Sequence, residues 1–232
     1  MKEPPSPFIS KLSDKLPIDS IPKAVVLVNG ITSIYNLPHI LSVKILHSYR
    51  KIDEDRQLLW LDGDNSFNPY LVSQIARSFK AEPEKILEKI QISRTFTCHQ
   101  LSKLILEKLW HTVEKLKPEL VVITGLPSIF AESDLCKREI SRSFEPVLEE
   151  LEKFRREERG LLMTSGTNST GENVILPKLE SLSDIILDVR KGGKEIVIEI
   201  GKDFSKSFGS SRIKVPEFES KSNMTLEEFT ES

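Results

Sequence analysis

Apolar residues along this chain fall into two rhythms. Ala24–Val28, Leu58–Leu61, Leu120–Ile123 and Gly160–Thr164 are short, nearly unbroken apolar runs. Such runs predict strands buried on both faces, as in a parallel sheet. Two further runs, Ile185–Val189 and Ile196–Ile200, flank Lys191-Gly-Gly-Lys194, a sequence suited to a tight hairpin. Helical spacing fills the intervals. Ile40, Leu41, Ile45 and Leu46 share one face, as do Leu101, Leu104, Ile105, Leu109, Val113 and Leu116. Ile140, Phe144, Val147, Leu148, Leu151 and Phe154 form a third apolar face. Pro69 opens another helix, because its missing N–H is tolerated in a first turn. By the same rule Pro146 predicts a helix starting near Ser143. Strands alternating with helices and closing on a hairpin predict an α/β fold. Its central sheet is mostly parallel, flanked by helices, with an antiparallel hairpin at one edge.

The chain ends read differently. Residues 1–22 carry Pro4, Pro5, Pro7, Pro17 and Pro22 and predict an extended arm, with Phe8, Ile9 and Leu12 as its anchors. Residues 216–232 are acidic and serine-rich and predict a loose tail. Residues 23–215 are left as one core domain, in keeping with a length of 232. With 38% apolar and 29% charged residues and a net charge of −2, the chain is neither a disordered polyelectrolyte nor a basic nucleic-acid coat. No run of about 18 apolar residues is present to predict a membrane-spanning helix. Met1-Lys-Glu-Pro-Pro has no apolar core of a secretory signal, so the expected location is cytoplasmic. Cys98, Cys136 and four histidines offer neither a disulfide framework nor zinc spacing.

A loop between a strand and a helix is where α/β proteins hold phosphate. Strand 24–28 runs into Asn29-Gly-Ile-Thr-Ser-Ile-Tyr-Asn-Leu37. Set against G-x-x-x-x-G-K-[ST], Gly30 takes the first position, Tyr35 the second glycine, Asn36 the lysine and Leu37 the hydroxyl residue. The spacing survives without the chemistry. Tyr35 cannot readily follow a glycine path, Asn36 carries no charge for phosphate, and Leu37 has no hydroxyl for Mg²⁺.

Further along, consecutive blocks resemble the RecA/RadA recombinase superfamily, closest to RadA and its short paralogues. Leu59-Trp-Leu-Asp-Gly-Asp-Asn-Ser-Phe67 is similar to a family strand followed by D-T-E-N-T-F. Asn68-Pro-Tyr-Leu-Val-Ser-Gln-Ile-Ala76 resembles R-P-E-R-I-x-Q-I-A, and Glu82–Ile90 resembles D-P-D-E-V-L-x-N-I. Ser93-Arg-Thr-Phe96 with His99-Gln100 resembles A-R-A-F…H-Q, and Leu120–Phe130 resembles the Walker B segment L-x-V-I-D-S-L-T-S-x-F. The resemblance covers about residues 24–215 and implies a RecA-like ATPase core.

The departures from that pattern carry the functional expectation. Thr124 stands where the family's Walker B aspartate supports Mg²⁺, and a hydroxyl is a poor substitute on a hard cation. Asp64 stands where the family has its catalytic glutamate, one methylene shorter. The family's nucleotide-sensing glutamine falls near Thr164-Ser165-Gly166 and is gone. Phosphoryl transfer is catalysed almost wholly by positioning and electrostatics, so joint loss of these groups implies a pseudo-ATPase. Neither ATP nor Mg²⁺ is expected as a cofactor.

The resemblance also places two DNA-facing loops. The first corresponds to Ala131–Arg142, with Lys137, Arg138 and Arg142 as its basic residues, offset by Glu132, Asp134 and Glu139. The second corresponds to residues 166–175, which hold no Lys or Arg. Phosphate contacts supply much of non-specific DNA affinity, so single-stranded DNA binding is expected to be weak or indirect. Pro7-Phe8-Ile9-Ser10 sits where recombinases carry a Phe-x-x-Ala interface motif, with Lys11 at the alanine, making Phe8 the partner-binding candidate. The expected function is an accessory, non-catalytic paralogue in homologous recombination and DNA repair. It pairs with a recombinase or another RecA-family paralogue as a homo- or hetero-oligomer. A divergent ATPase built on Asp62 and Asp64, or a RecA-fold scaffold in another pathway, are the alternatives.

Overall fold

The computed structural model describes residues 18–30, 36–48, 56–131, 133, 136–166, 174–192, 195–201 and 211–216. A 3-10 turn, Ile18–Lys23, leads into β1 (Val25–Gly30) and buries Ile21 against the core. Next come α1 (Asn36–Ser48), β2 (Leu58–Asp62), α2 (Pro69–Ser78), α3 (Pro83–Glu88) and β3 (Ile90–Arg94). Then α4 (Cys98–Leu104), a π-helical turn (Ile105–Leu109) and α5 (Trp110–Leu116) run on without a break. β4 (Leu120–Thr124), α6 (Leu126–Ala131), α7 (Lys137–Arg156), β5 (Leu161–Gly166) and α8 (Leu176–Leu182) follow. β6 (Ile185–Gly192), β7 (Glu195–Gly201) and β8 (Ser211–Pro216) complete the described chain.

Among the described residues, eight strands form one sheet in the order β3-β2-β4-β5-β1-β6-β7-β8. Pairing is parallel from β3 through β6, and antiparallel for β6–β7 and β7–β8. This is the α/β architecture the apolar runs imply. Alternation along each strand sends side chains to two separate cores. Val26, Val28, Leu58, Trp60, Val122 and Leu162 face the layer of α1, α2 and α3. Val25, Leu27, Leu61, Val121, Ile123 and Met163 face α4 through α8.

Two strands escape the sequence pattern. In β3 only Ile90 and no other residue is buried, because an edge strand has a single neighbour. An apolar-run criterion therefore passes over it. β8 is the opposite edge, pairing with β7 alone.

Helix α7 also departs from expectation. It begins at Lys137, not near Ser143, and holds Pro146 in its interior. Its start is fixed by Cys136, whose N–H donates to Glu139 Oε2 at 2.9 Å. Pro146 lies on the exposed side, while Ile140, Phe144, Val147, Leu151 and Phe154 are buried on the other. Burying each such side chain contributes about 1.5–3 kcal/mol, enough to offset one missing backbone bond.

The π turn has a packing cause. Leu101, Ile105, Leu109 and Val113 are all buried at a strict spacing of four. In a regular α-helix that spacing drifts about 40° per step, and a wider turn absorbs the drift.

Candidate functional site

The parallel strands deliver their C-terminal ends to one edge of the sheet, the usual place for an α/β ligand site. At the end of β1 the backbone of Gly30 has φ +141°. A Cβ there would collide with the carbonyl oxygen of Val189 on β6, so this glycine answers to sheet packing. Asn29 Nδ2 donates to Asp188 Oδ1 at 3.3 Å across the same pair of strands. Tyr35 lies outside the described residues, and Asn36 is the first residue of α1. Leu37 is 2% exposed and belongs to the core of the α1 layer. Residue 37 therefore offers a buried apolar side chain and no hydroxyl.

Asp62, at the end of β2, is 0% exposed and is the hub of the edge. Its Oδ1 accepts from the Ser66 N–H at 2.9 Å and from the Thr124 hydroxyl at 3.2 Å. Its Oδ2 accepts from Arg94 Nε at 3.0 Å and from the Phe67 N–H at 3.4 Å. A buried carboxylate is tolerable only when paired and hydrogen-bonded, and here both conditions hold. Because Arg94 ends β3 and Thr124 ends β4, this one side chain ties three strand ends together. The backbone reinforces the knot, with Gly63 N–H on the Thr124 carbonyl at 3.1 Å and Thr95 N–H on the Asp62 carbonyl at 3.0 Å.

Asp64 sits two residues on. Its Oδ1 is buried without a hydrogen-bond partner. Burial pushes its carboxyl above the usual carboxylate range, opposed in part by the Ser66 and Thr124 side chains and assisted by the Asp62 charge. Asn65 follows at φ +56°. Asp64 packs against Gly125, whose φ is +70° and where a Cβ would collide with Asp64. Gly125 N–H in turn donates to the Thr164 hydroxyl at 3.1 Å, extending the network to β5.

Sequence reasoning missed His39. It is 1% exposed on α1, and its Nε2 accepts from the Asn68 N–H at 3.0 Å. Its ring stacks on Trp60 and Phe67, with centroids 4.7 and 5.6 Å away. The acceptor role requires a neutral imidazole. Asn68 is itself the N-cap of α2, accepting from the Tyr70 and Leu71 N–H groups. No one-dimensional signal pairs a histidine near residue 39 with a cap at residue 68.

In the cluster so assembled, Arg94 is the cation in contact, and it is committed to Asp62. Among the described residues no group of three or more His, Cys, Asp or Glu is placed to hold a metal ion. Thr124 offers a neutral hydroxyl already donated to Asp62.

The basic candidates lie elsewhere. Lys137, Arg138 and Arg142 are exposed, and they stand on the first turns of α7 and not on a loop. The capping of Cys136 by Glu139 starts the helix before them, leaving 132–136 as the connection from α6. Residues 132, 134, 135 and 167–173, which complete the two expected DNA-facing loops, lie outside the described residues, as does Phe8. Cys98 opens α4 behind the Thr97 cap, and Cys136 is exposed at the start of α7. Among the described residues no helix is long and apolar enough to cross a membrane.

A sequence-family model described as Rad51 matches residues 28–157. That span begins inside β1, ends one residue past α7, and contains Asp62, Asp64, Arg94 and Thr124.

Proposed function

We propose, since this chain belongs to the Rad51 family, that it is a non-catalytic paralogue acting by protein–protein contact in homologous recombination and repair. Family membership supports a recombinase-related role in general terms. The finer reading rests on one observation above all: Thr124, where the family carries a metal-supporting carboxylate, spends its hydroxyl on Asp62. A Mg²⁺ ion asks for charged oxygen at that place. Leu37 adds to it, because a buried leucine replaces the residue whose hydroxyl would reach the same ion.

The expected partner is a recombinase or a second RecA-family chain. With Lys137, Arg138 and Arg142 on a helix that also exposes Glu139, Glu145 and Glu149, DNA contact is weak or indirect. Titration calorimetry with Mg-ATP is expected to show no binding, and phosphate release no activity above buffer. Micromolar binding of Mg-ATP sinks the reading. Affinity purification from the native cell, with and without nuclease, is expected to recover a recombinase in both arms.

One observation favours the rival. Asp64 retains a carboxylate at the place of the family's catalytic glutamate, and its raised proton affinity suits a general base. A divergent ATPase would then lose its phosphate release in the Asp64→Asn variant.

A further inference from the structure

We propose that the outer edge of β3 is a self-pairing edge: two copies of this chain join by antiparallel β3–β3 pairing centred on Ile92, making one continuous sheet.

The backbone sets the register. β3 runs parallel to β2, with Ile90, Ile92 and Arg94 level with Leu58, Trp60 and Asp62. The Leu58 N–H donates to the Lys89 carbonyl at 2.8 Å, and the Thr95 N–H donates to the Asp62 carbonyl at 3.0 Å. Odd-numbered residues along β3 therefore turn their backbone groups towards β2. That direction alternates along a strand, so Ile90, Ile92 and Arg94 turn theirs outward. β3 ends the sheet, and among the described residues no strand meets those outward groups. With a second copy laid antiparallel and Ile92 at the two-fold axis, each outward N–H finds an outward carbonyl. Ile92 faces the partner's Ile92, Ile90 faces the partner's Arg94, and Arg94 faces the partner's Ile90.

The side chains agree with that register. Edge strands are ordinarily guarded by lysine, proline or a bulge. β3 reads Ile-Gln-Ile-Ser-Arg, and its one charge, Arg94, is drawn back onto Asp62. Ile92 is left 44% exposed although its level neighbour Trp60 is fully buried, and Phe96 just past the strand is 74% exposed. In the symmetric pair the two Ile92 side chains lie together over the axis. Gln91 meets the partner's Ser93, so no like charges oppose. Glu88, exposed at the end of α3, comes beside the partner's Arg94, whose counterpart here has a side chain 41% exposed. Symmetry makes that opposite-charge contact twice. A foreign strand could satisfy the backbone, but this set of side chains matches itself, which selects a second copy as the occupant. Two strands of five residues bury less area than a standard interface, so dissociation falls in the micromolar range. The pairing uses no nucleotide, and its failure leaves the non-catalytic reading untouched.

Sedimentation velocity on the full chain, across micromolar concentrations, tests this. A monomer–dimer equilibrium is expected. Ile92→Lys sets two cations against each other at the axis and is expected to weaken dimerisation about tenfold or more. Cross-linking reads the register, in a Cys136→Ser background that removes the exposed thiol. Directly opposed, hydrogen-bonded residues have Cα atoms about 5.5 Å apart, within disulfide reach. Ile92→Cys is therefore expected to give a disulfide-linked dimer on mild oxidation. Gln91→Cys, set opposite Ser93, is expected to stay unlinked. A chain that is monomeric throughout that range, a dimer that Ile92→Lys leaves intact, or equal linking at residues 91 and 92 overturns the proposal. So does a growing series of larger species, which would mean strand addition from another segment of the chain in place of a closed pair. Should Ile92→Lys not fold, Glu88→Lys, on α3 and off the strand, takes its place with a loss of dimer again expected.

Discussion

The Thr124 hydroxyl donates to Asp62 Oδ1 at 3.2 Å, so the ends of β4 and β2 are joined by a neutral-to-charged hydrogen bond. With a carboxylate at residue 124, two anions would meet there. The threonine avoids that repulsion.

Restoring the acid is therefore expected to harm the protein. Thr124→Asp puts a second carboxylate beside a fully buried one and is expected to cost about 3 kcal/mol in urea unfolding. On the proposed non-catalytic reading, adding Mg²⁺ is expected to leave phosphate release at background, since the buried Leu37 offers no hydroxyl. Recovery of ATP hydrolysis in this variant would mean that the fold had kept its catalytic geometry.

The Asp62–Arg94 pair is unequal, with the acid fully buried and the arginine side chain 41% exposed. Arg94→Ala leaves Asp62 two amides and a hydroxyl, and solvent reaches the gap, so the expected cost is about 1–2 kcal/mol. Asp62→Ala strands two N–H groups, the buried one of Phe67 and the part-buried one of Ser66, with one hydroxyl and one guanidinium, at an expected cost of about 4 kcal/mol. Equal losses in chemical denaturation would mean that Asp62 is not the hub.

The raised Asp64 carboxyl links stability to pH. The folded state holds that proton more tightly than the unfolded chain does. Its stabilising contribution is complete below the ordinary carboxylate range and is lost as pH rises through the raised value. The denaturation midpoint of the unmodified chain should fall over that interval, and Asp64→Asn should remove this component of the slope.

Pro146 lies inside α7 with its side exposed. Pro146→Ala restores an N–H to the helix ladder and is expected to raise stability by about 1–3 kcal/mol, read as a higher melting temperature. No change would indicate that the helix bends at this point for a packing reason on its buried side.

Much of the fold was legible in one dimension. Continuous apolar runs mark β1, β2, β4 and β5, because central parallel strands are buried on both faces whatever their neighbours. β3 was not legible, since exposure on an edge leaves an ordinary mixed sequence. The start of α7 was misplaced because a proline signal was weighed locally. Five buried residues on the opposite face outweigh it.

The candidate site divides along the same line. The amino-acid sequence by itself determined what each residue can offer: Asn36 carries no charge, Leu37 no hydroxyl and Thr124 no carboxylate, and no packing can supply them. Only the tertiary structure decided what the remaining groups do. Asp62 finds Arg94 and Thr124 through parallel strand register, and His39 on α1 finds Asn68 at the start of α2 within one helical layer. Asp64 packs half-buried against Gly125. Residue type fixes what a side chain can offer, whereas partners separated by tens of residues are chosen by the sheet that brings them within hydrogen-bond distance.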